Sequence, residues 1–232
     1  GVLVLAGGGH THALMLKEWS KNPKTKPEDL IILISRKSTT LYSGMVPGLI
    51  AGIYQVEDVE IDIRNLCNQA KITFIQDEII GIDVEKKHLL TKDRGTVSFT
   101  RLSINLGSVN TPLDNDQLLQ KNIKPMEAAI AWLQKQDFDA EKDIWKPFTV
   151  IGSGLSAVES CLALRKRWKH KSLQLQTKRE GKNIHPFLKV LKEAEIKLLG
   201  EEQPINGPSI RCTGSRPQKW LSQSGLPINE EG

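Results

Sequence analysis

Two short stretches carry residue types and spacings suited to holding a phosphate anion. The first is Val4-Leu5-Ala6-Gly7-Gly8-Gly9-His10-Thr11-His12; the second, far downstream, is Val150-Ile151-Gly152-Ser153-Gly154-Leu155-Ser156-Ala157-Val158-Glu159. Each follows an apolar run that reads as a buried strand and opens a segment with helical spacing. A pyrophosphate is a compact dianion, and a helix N-terminus offers it unpaired N–H groups and the positive end of the helix dipole. Glycine keeps the turn tight and lets the backbone approach the phosphates. Two such turns predict a protein that holds two dinucleotides and passes electrons between them. The competing reading of each turn is a glycine-rich corner without a ligand.

The two matches differ in quality. Gly152, Gly154 and Ala157 satisfy all three small-residue positions of the dinucleotide fingerprint, whereas the first turn has Gly7 and Gly9 but His12 at the third. The acid expected after the second strand, for a ribose hydroxyl, is missing twice. Ser35-Arg36 stand there in the first unit and Thr177-Lys178-Arg179 in the second. Lys178 and Arg179 suit a 2′-phosphate or are solvated cations, which leaves NAD against NADP open. His10 and His12 have no nearby carboxylate or cysteine to complete a metal site, so no metal is expected; His10 is expected to present its backbone N–H near the phosphates. Glu159 reads either as a first-turn carboxylate complementing the helix dipole or as a group near the nicotinamide end. Cys67, Cys161 and Cys212 form no paired motif, which excludes a dithiol relay within one motif and a zinc cluster. Cys67 alone remains open to a transient adduct, and Cys161 reads as a buried small hydrophobe. No side chain stands out as a catalytic acid or base.

The elements that must position these turns repeat one plan. Strand 2–6, the first turn, a helix to about Ser20 and the apolar run Leu30-Ile31-Ile32-Leu33-Ile34 make a βαβ unit. A loop with Gly44, Pro47, Gly48 and Gly52 follows, then a short helix over 62–70 and strands at 72–75 and 79–83. Residues 87–90 and 97–99 read as a small antiparallel excursion, and 102–107 as a strand ending on glycine. Residues 110–116 read as a linker and 126–136 as an amphipathic helix. The plan then restarts with strand 148–151, the second turn, a helix to about Trp168 and strand 173–176. Residues 185–194 read as helical and 210–214 as another strand ending on glycine. The interval between Leu199 and Ile210 leaves little room for further strands.

The predicted class is therefore α/β: two Rossmann-like dinucleotide-binding domains with central parallel sheets and small antiparallel excursions, over 1–111 and 112–225. At 232 residues, 39% hydrophobic and 25% charged, the composition is that of an ordinary globular protein. No apolar run is long enough to span a bilayer and no signal segment is legible, so a cytoplasmic protein without a transmembrane segment is expected. The net charge of +5 is mild. The cluster Arg165 to Lys171 reads as a solvated helix end, and 5% aromatics without an interleaved stacking platform argue against nucleic acid.

The order of a first glycine turn, Ile104-Asn105-Leu106-Gly107-Ser108, a second turn Gly-x-Gly-x-x-Ala-x-Glu and a later Cys212-Thr213-Gly214 resembles the flavoproteins of the pyridine nucleotide-disulfide oxidoreductase superfamily. Lacking paired cysteines, the chain is more similar to type II NADH dehydrogenases and sulfide:quinone oxidoreductases. Gly7 to His12 together with Tyr42-Ser43-Gly44-Met45-Val46-Pro47-Gly48 resembles the NAD(P)/FAD-dependent oxidoreductase domain fused to selenide, water dikinase. The resemblance covers nearly the whole chain. It implies FAD on Gly7, Gly9, His10 and Thr11, with Ser35 and Arg36 beyond. Ser43, Gly44, Met45, Val46 and Pro47 would lie near the flavin, Asn105, Leu106 and Gly107 would close over its nucleotide, and adenine would rest near Ile79. It implies NAD(P)H on Gly152, Ser153, Gly154, Leu155, Glu159, Lys178, Arg179 and Gly214.

Members of the superfamily continue into a Gly-Asp segment that holds the flavin. The FAD domain is thus expected to be completed by 226–232 and a further C-terminal segment. The leading function is an FAD-dependent NAD(P)H oxidoreductase whose acceptor the sequence does not identify: a quinone, or a selenium or sulfur species if a selenide, water dikinase domain is fused. A non-catalytic nucleotide-binding regulatory module and a single-cofactor enzyme using only the second turn are the alternatives. Homo-oligomerisation is left open.

Overall fold

The computed structural model describes residues 1–110, 119–178 and 184–227. In chain order the elements are β1 (Val2–Ala6), α1 (His10–Lys21), β2 (Leu30–Ser35), β3 (Thr39–Leu41), α2 (Val46–Ile50), α3 (Val56–Val59), β4 (Glu60–Asp62), α4 (Ile63–Gln69), β5 (Thr73–Gln76), β6 (Ile79–Asp83), β7 (His88–Thr91), β8 (Gly95–Ser98), β9 (Arg101–Ile104), β10 (Val109–Asn110), β11 (Gln120–Asn122), α5 (Met126–Lys142), β12 (Phe148–Ile151), α6 (Leu155–Arg167), β13 (Leu173–Thr177), α7 (Leu188–Glu193), β14 (Ile196–Gly200), β15 (Ser209–Arg211), β16 (Ser215–Arg216) and α8 (Lys219–Ser222). The chain packs as two units. One comprises Gly1–Tyr42, Glu60–Val109 and the described residues from Arg216 onward; the other comprises Ser43–Val59 and the described residues of Asn110–Ser215. Ser43–Val59, read from sequence within the 1–111 span, thus packs with the second unit.

The first unit is built on a parallel sheet in the order β5-β2-β1-β9. Strand side chains alternate between faces, and β1 shows it. Leu5 joins Leu33, Leu16, Trp19, Ile63 and Cys67 under α1 and α4, while Val4 and Ala6 join Ile34, Ile79 and Leu89 on the opposite face. That second face is covered by the antiparallel sheet β6-β7-β8 and by Trp220 of α8. The sequence reading of 79–83 as a strand holds, but the strand belongs to this covering layer and not to the parallel sheet.

The second unit carries a parallel sheet in the order β11-β15-β12-β13-β14. Its central strands bury Phe148, Val150, Leu173, Leu175 and Ile210. Phe148 fills the bottom of this core, its ring edge-on to Trp168 at 4.9 Å and tilted against Trp132 at 5.8 Å. Two of these strands, β11 and β14, were not read from sequence. Gln120–Asn122 is short and polar, and Ile196–Gly200 interleaves a lysine with its apolar residues. Both are edge strands, and edge strands need less apolar character than central ones.

The two parallel sheets repeat one topology. From β1 the chain steps outward through β2 to β5, then returns to place β9 on the other side of β1. From β12 it steps through β13 to β14, then returns to place β15 on the other side of β12. Each sheet therefore has a topological switch point beside the strand that precedes a glycine turn, and ligands of open α/β sheets bind outside the carboxyl ends of the strands there.

Candidate dinucleotide sites

Two backbone hydrogen bonds around the first turn have counterparts around the second. Gly7 N–H donates to Ile34 O at 2.8 Å, and Gly152 N–H to Gln176 O at 2.9 Å. Asn105 N–H donates to Ala6 O at 2.8 Å, and Cys212 N–H to Ile151 O at 2.7 Å. Each turn is thus clamped between the end of the following strand and the end of the returning strand. Asn105-Leu106-Gly107 and Cys212-Thr213-Gly214 occupy equivalent places.

Both helices after the turns start without a cap. Gly9 precedes α1 and Gly154 precedes α6; neither helix has a side-chain cap or an acidic residue in its first turn. By contrast α4 is capped by Asp62, whose carboxylate accepts from Asn65 N–H at 2.8 Å, and α5 has Glu127 in its first turn. The chain therefore leaves the positive pole of α1 and α6 uncompensated, which suits an external anion. Glu159, read from sequence as one candidate for that compensation, stands beyond the first turn and is exposed.

The glycines of the two turns are required for different reasons. Gly7 has φ of +99°, and a Cβ there would lie 2.3 Å from Asn105 O. A Cβ on Gly9 would lie 1.8 Å from Asn105 Oδ1, and one on Gly152 would lie 2.9 Å from the Cβ of Ala157. These three are demanded by the protein's own packing. Gly154 is different: its φ is −108°, and a Cβ there would meet no atom of the described residues within 4 Å. It opens onto a cavity of about 370 Å³ in the second unit, lined by the Gly152–Gly154 turn, Thr177, Lys178, Glu201 and Thr213–Gly214. A glycine that nothing among the described residues requires, at the mouth of a helix and facing a cavity, fits the close approach of a phosphate.

The third position of the first turn shows how a histidine replaces the small residue. His12 is fully buried, and its Nδ1–H donates to Gly7 O at 2.7 Å. A carbonyl only accepts, so Nε2 is the acceptor, and Ser103 Oγ–H of β9 donates to it at 2.9 Å. Burial lowers the His12 pKa below its ordinary value, with the Gly7 hydrogen bond opposing in part. His12 is thus a neutral tie between the turn, α1 and β9. Its bond to a strand far along the chain is not legible in sequence.

The other expected residues fall as follows. His10 begins α1, exposed, its ring stacked on Tyr42 at 4.6 Å, and Thr11 follows it at the surface. Ser35 ends β2 with its hydroxyl 3.0 Å from where a Gly8 Cβ would be, and Arg36 is exposed. Ile79 is buried in the first unit's core, Leu106 packs at its margin, and Gly107 has φ of +74° with open space beside it. Asn105 Oδ1 is buried without a hydrogen-bond partner among the described residues. Ser43–Met45 form one 3₁₀ turn leading into α2, where Val46 is buried and Pro47 stands in the first turn. Ser153 Oγ lies 3.0 Å from Thr177 Oγ1 and accepts from Lys178 N–H at 2.9 Å. Leu155 is exposed at the start of α6. Gly214 has φ of +50°. Arg179 and most of the 110–116 segment lie outside the described residues.

Two features escaped the sequence reading. Asn110 Nδ2 donates to Thr213 O at 2.6 Å while Asn110 Oδ1 accepts from Lys124 N–H at 2.9 Å, which pins the Thr213-Gly214 turn. Glu201 joins the cavity wall from the end of β14. The cysteines are unsuited to thiolate chemistry at neutral pH. Burial pushes Cys67 up to about 12 and Cys212 up to about 11, and raises Cys161 further. Cys67 is fully buried, which removes the physical basis for a transient adduct there. Among the described residues, no group of three or more His, Cys, Asp or Glu is arranged to hold a metal, and no helix is long and apolar enough to cross a membrane.

No protein-family model matches the chain, and no curated protein matches it. Solved structures do. The water-forming NADH oxidase of Lactobacillus brevis bound to NADH matches with a TM-score of 0.74 at 16% identity, over 100% of this chain and 57% of the oxidase. Reduced Bacillus anthracis CoADR-RHD matches with a TM-score of 0.78 at 15% identity, over 100% and 47%. The sulfide:quinone oxidoreductase of Aquifex aeolicus matches with a TM-score of 0.72 at 16% identity, over 97% and 61%. The chain thus has the α/β fold of these structures, with two parallel sheets, and spans about half to three fifths of their lengths.

Proposed function

We propose that this chain is the nucleotide-binding core of an FAD-dependent NAD(P)H oxidoreductase of the pyridine nucleotide-disulfide oxidoreductase superfamily. The observation that carries the proposal is the duplicated switch point. Each of the two parallel sheets has a glycine turn leading into an uncapped helix, beside a returning strand that is followed three residues later by a glycine. Likeness of fold to an NADH oxidase and a quinone-linked oxidoreductase supports the same reading.

In this reading the first turn, with Gly7, Gly9, His10 and Thr11, holds the pyrophosphate of FAD. Asn105, Leu106 and Gly107 border it, and the buried Asn105 Oδ1 is an acceptor awaiting a donor. The second turn, with Gly152, Ser153, Gly154 and Leu155, holds NAD(P)H in the cavity closed by Lys178 and Gly214. FAD, when bound, supplies the chemistry by accepting a hydride from NAD(P)H and releasing electrons singly or in pairs. The protein's own residues bind and orient; the thiols stay protonated and the buried His12 stays neutral.

The domain spans 1–111 and 112–225, the electron acceptor and a fused selenide, water dikinase domain belong to this proposal on the sequence resemblance alone. Cytoplasmic location and homo-oligomerisation are expectations of the same kind.

The test is an anaerobic visible spectrum of the full chain loaded with FAD, before and after addition of NADH or NADPH. Bleaching of the flavin band is expected. A loaded flavin that neither nucleotide bleaches overturns the enzyme reading, and the non-catalytic nucleotide-binding module then takes its place.

A further inference from the structure

Two charges on the cavity wall are not needed for hydride transfer. Lys178 follows β13 and Glu201 follows β14, with Nζ and Oε1 3.8 Å apart. In a dinucleotide-binding βαβ unit, the end of the second strand supplies the acid that accepts from the ribose 2′-hydroxyl. Here that end reads Thr177-Lys178 among the described residues, and the carboxylate on the described cavity wall is Glu201, from the next strand.

The two charges are held differently. The buried Gln176 side chain donates from Nε2 to Gly200 O at 3.3 Å, Glu201 O at 3.4 Å and Gln203 O at 2.7 Å. Gly200 N–H in turn donates to Gln203 Oε1 at 2.7 Å. The backbone carrying Glu201 is therefore anchored from beneath. Lys178 is held by its backbone N–H on Ser153 Oγ, while its side chain is 76% exposed.

We propose that Glu201, at the end of β14, reads the adenosine ribose of the dinucleotide, and that it makes this chain select NADH over NADPH. The inference rests on the nucleotide-binding reading of the second turn. An ionised carboxylate only accepts hydrogen bonds, so it suits a 2′,3′-diol and repels a 2′-phosphate. Lys178 would attract that phosphate, but its ammonium already faces Glu201.

The experiment is calorimetric titration of the full chain with NADH and with NADPH. NADH is expected to bind more tightly by on the order of tenfold, the worth of a charge-assisted hydrogen bond. E201Q brings the two affinities together, and E201K inverts their order. A ratio that E201Q does not move, or a wild-type preference for NADPH, overturns the assignment of Glu201 and leaves the second-turn reading standing. A wild-type chain that binds neither nucleotide overturns the second-turn reading and this inference with it. Glu201 is exposed, and equal thermal midpoints of the variants verify folding.

Discussion

At the scale of single residues, the two turns separate glycines that the protein's own packing needs from one, Gly154, that the described residues leave open. Gly7→Ala combines a left-handed φ with a backbone collision at Asn105. It is expected to destabilise the chain by about 2–4 kcal/mol in urea denaturation. Gly154→Ala meets no atom of the described residues, so its stability cost is expected to stay within about 1 kcal/mol, the ordinary range for an N-cap change. The same substitution points a methyl at the phosphate path and is expected to weaken NAD(P)H binding by tenfold or more, read by titration calorimetry. Equal stability losses at the two positions would refute the distinction. His12 gives a pH-dependent counterpart. Its folded pKa is lowered, so as pH falls through the ordinary histidine value the unfolded chain takes up a proton that the folded chain refuses. Stability should be level above that value and decline below it, toward the lower folded pKa. His12→Ala should remove this part of the profile and cost about 2 kcal/mol at neutral pH, by leaving Gly7 O and the Ser103 hydroxyl without their partner.

At the scale of elements, sequence pattern was informative where an apolar run met a glycine and silent where pairing alone makes the strand. Val2–Ala6, Leu30–Ser35 and Phe148–Ile151 are largely buried parallel strands and read as apolar runs, interrupted by Thr149 in the third and closed by Ser35 in the second. The ribbon β3–β4 consists of Thr-Thr-Leu and Glu-Ile-Asp, which carry no period long enough to recognise. The site divides in the same way. The turns announce themselves by spacing, whereas Gln176 and Glu201 reach the second cavity, and Asn110 reaches the Thr213 carbonyl, only through the order of strands. A long-range tie of this kind also orders the helices of the second unit. Asp137 of α5 accepts from Arg167 Nε at 2.6 Å, Arg167 Nη2 at 2.5 Å and Trp168 Nε1 at 2.7 Å, and Arg167 Nη1 donates onward to Ile50 O at the end of α2. Burial raises the Asp137 pKa, but the hydrogen bonds from Arg167 and Trp168 outweigh it and hold the carboxyl below its usual value. Asp137→Asn keeps the shape and removes the charge. It is expected to cost about 1–2 kcal/mol in urea denaturation at neutral pH, since Arg167 is largely buried and loses its counter-charge. The difference from wild type should shrink as pH falls through the ordinary aspartate range and the wild-type carboxyl is itself protonated. A difference that persists unchanged in acid would point to packing instead.

At the scale of the whole molecule, the repeat of one sheet topology has a thermodynamic consequence. Each parallel sheet has its own glycine turn, its own returning strand and its own uncapped helix, so each turn is expected to serve its own dinucleotide. Two ligands that occupy separate sites stabilise the folded chain independently, and their contributions add. Each nucleotide at a hundredfold excess over its Kd should raise unfolding stability by about 2.7 kcal/mol, and FAD with NAD⁺, which does not reduce it, should together give the sum. In a competitive titration NAD⁺ should not displace FAD, and Gly154→Ala should abolish the NAD⁺ increment while leaving that of FAD. If NAD⁺ instead displaces FAD and the increments fail to add, both nucleotides use the second cavity, where the glycine faces open space. The first turn would then be a corner held by His12 and Asn105 for packing alone, and the chain would act with a single cofactor. Additivity together with flavin bleaching leaves only a two-cofactor electron path, because bleaching requires both nucleotides on one chain at the same time.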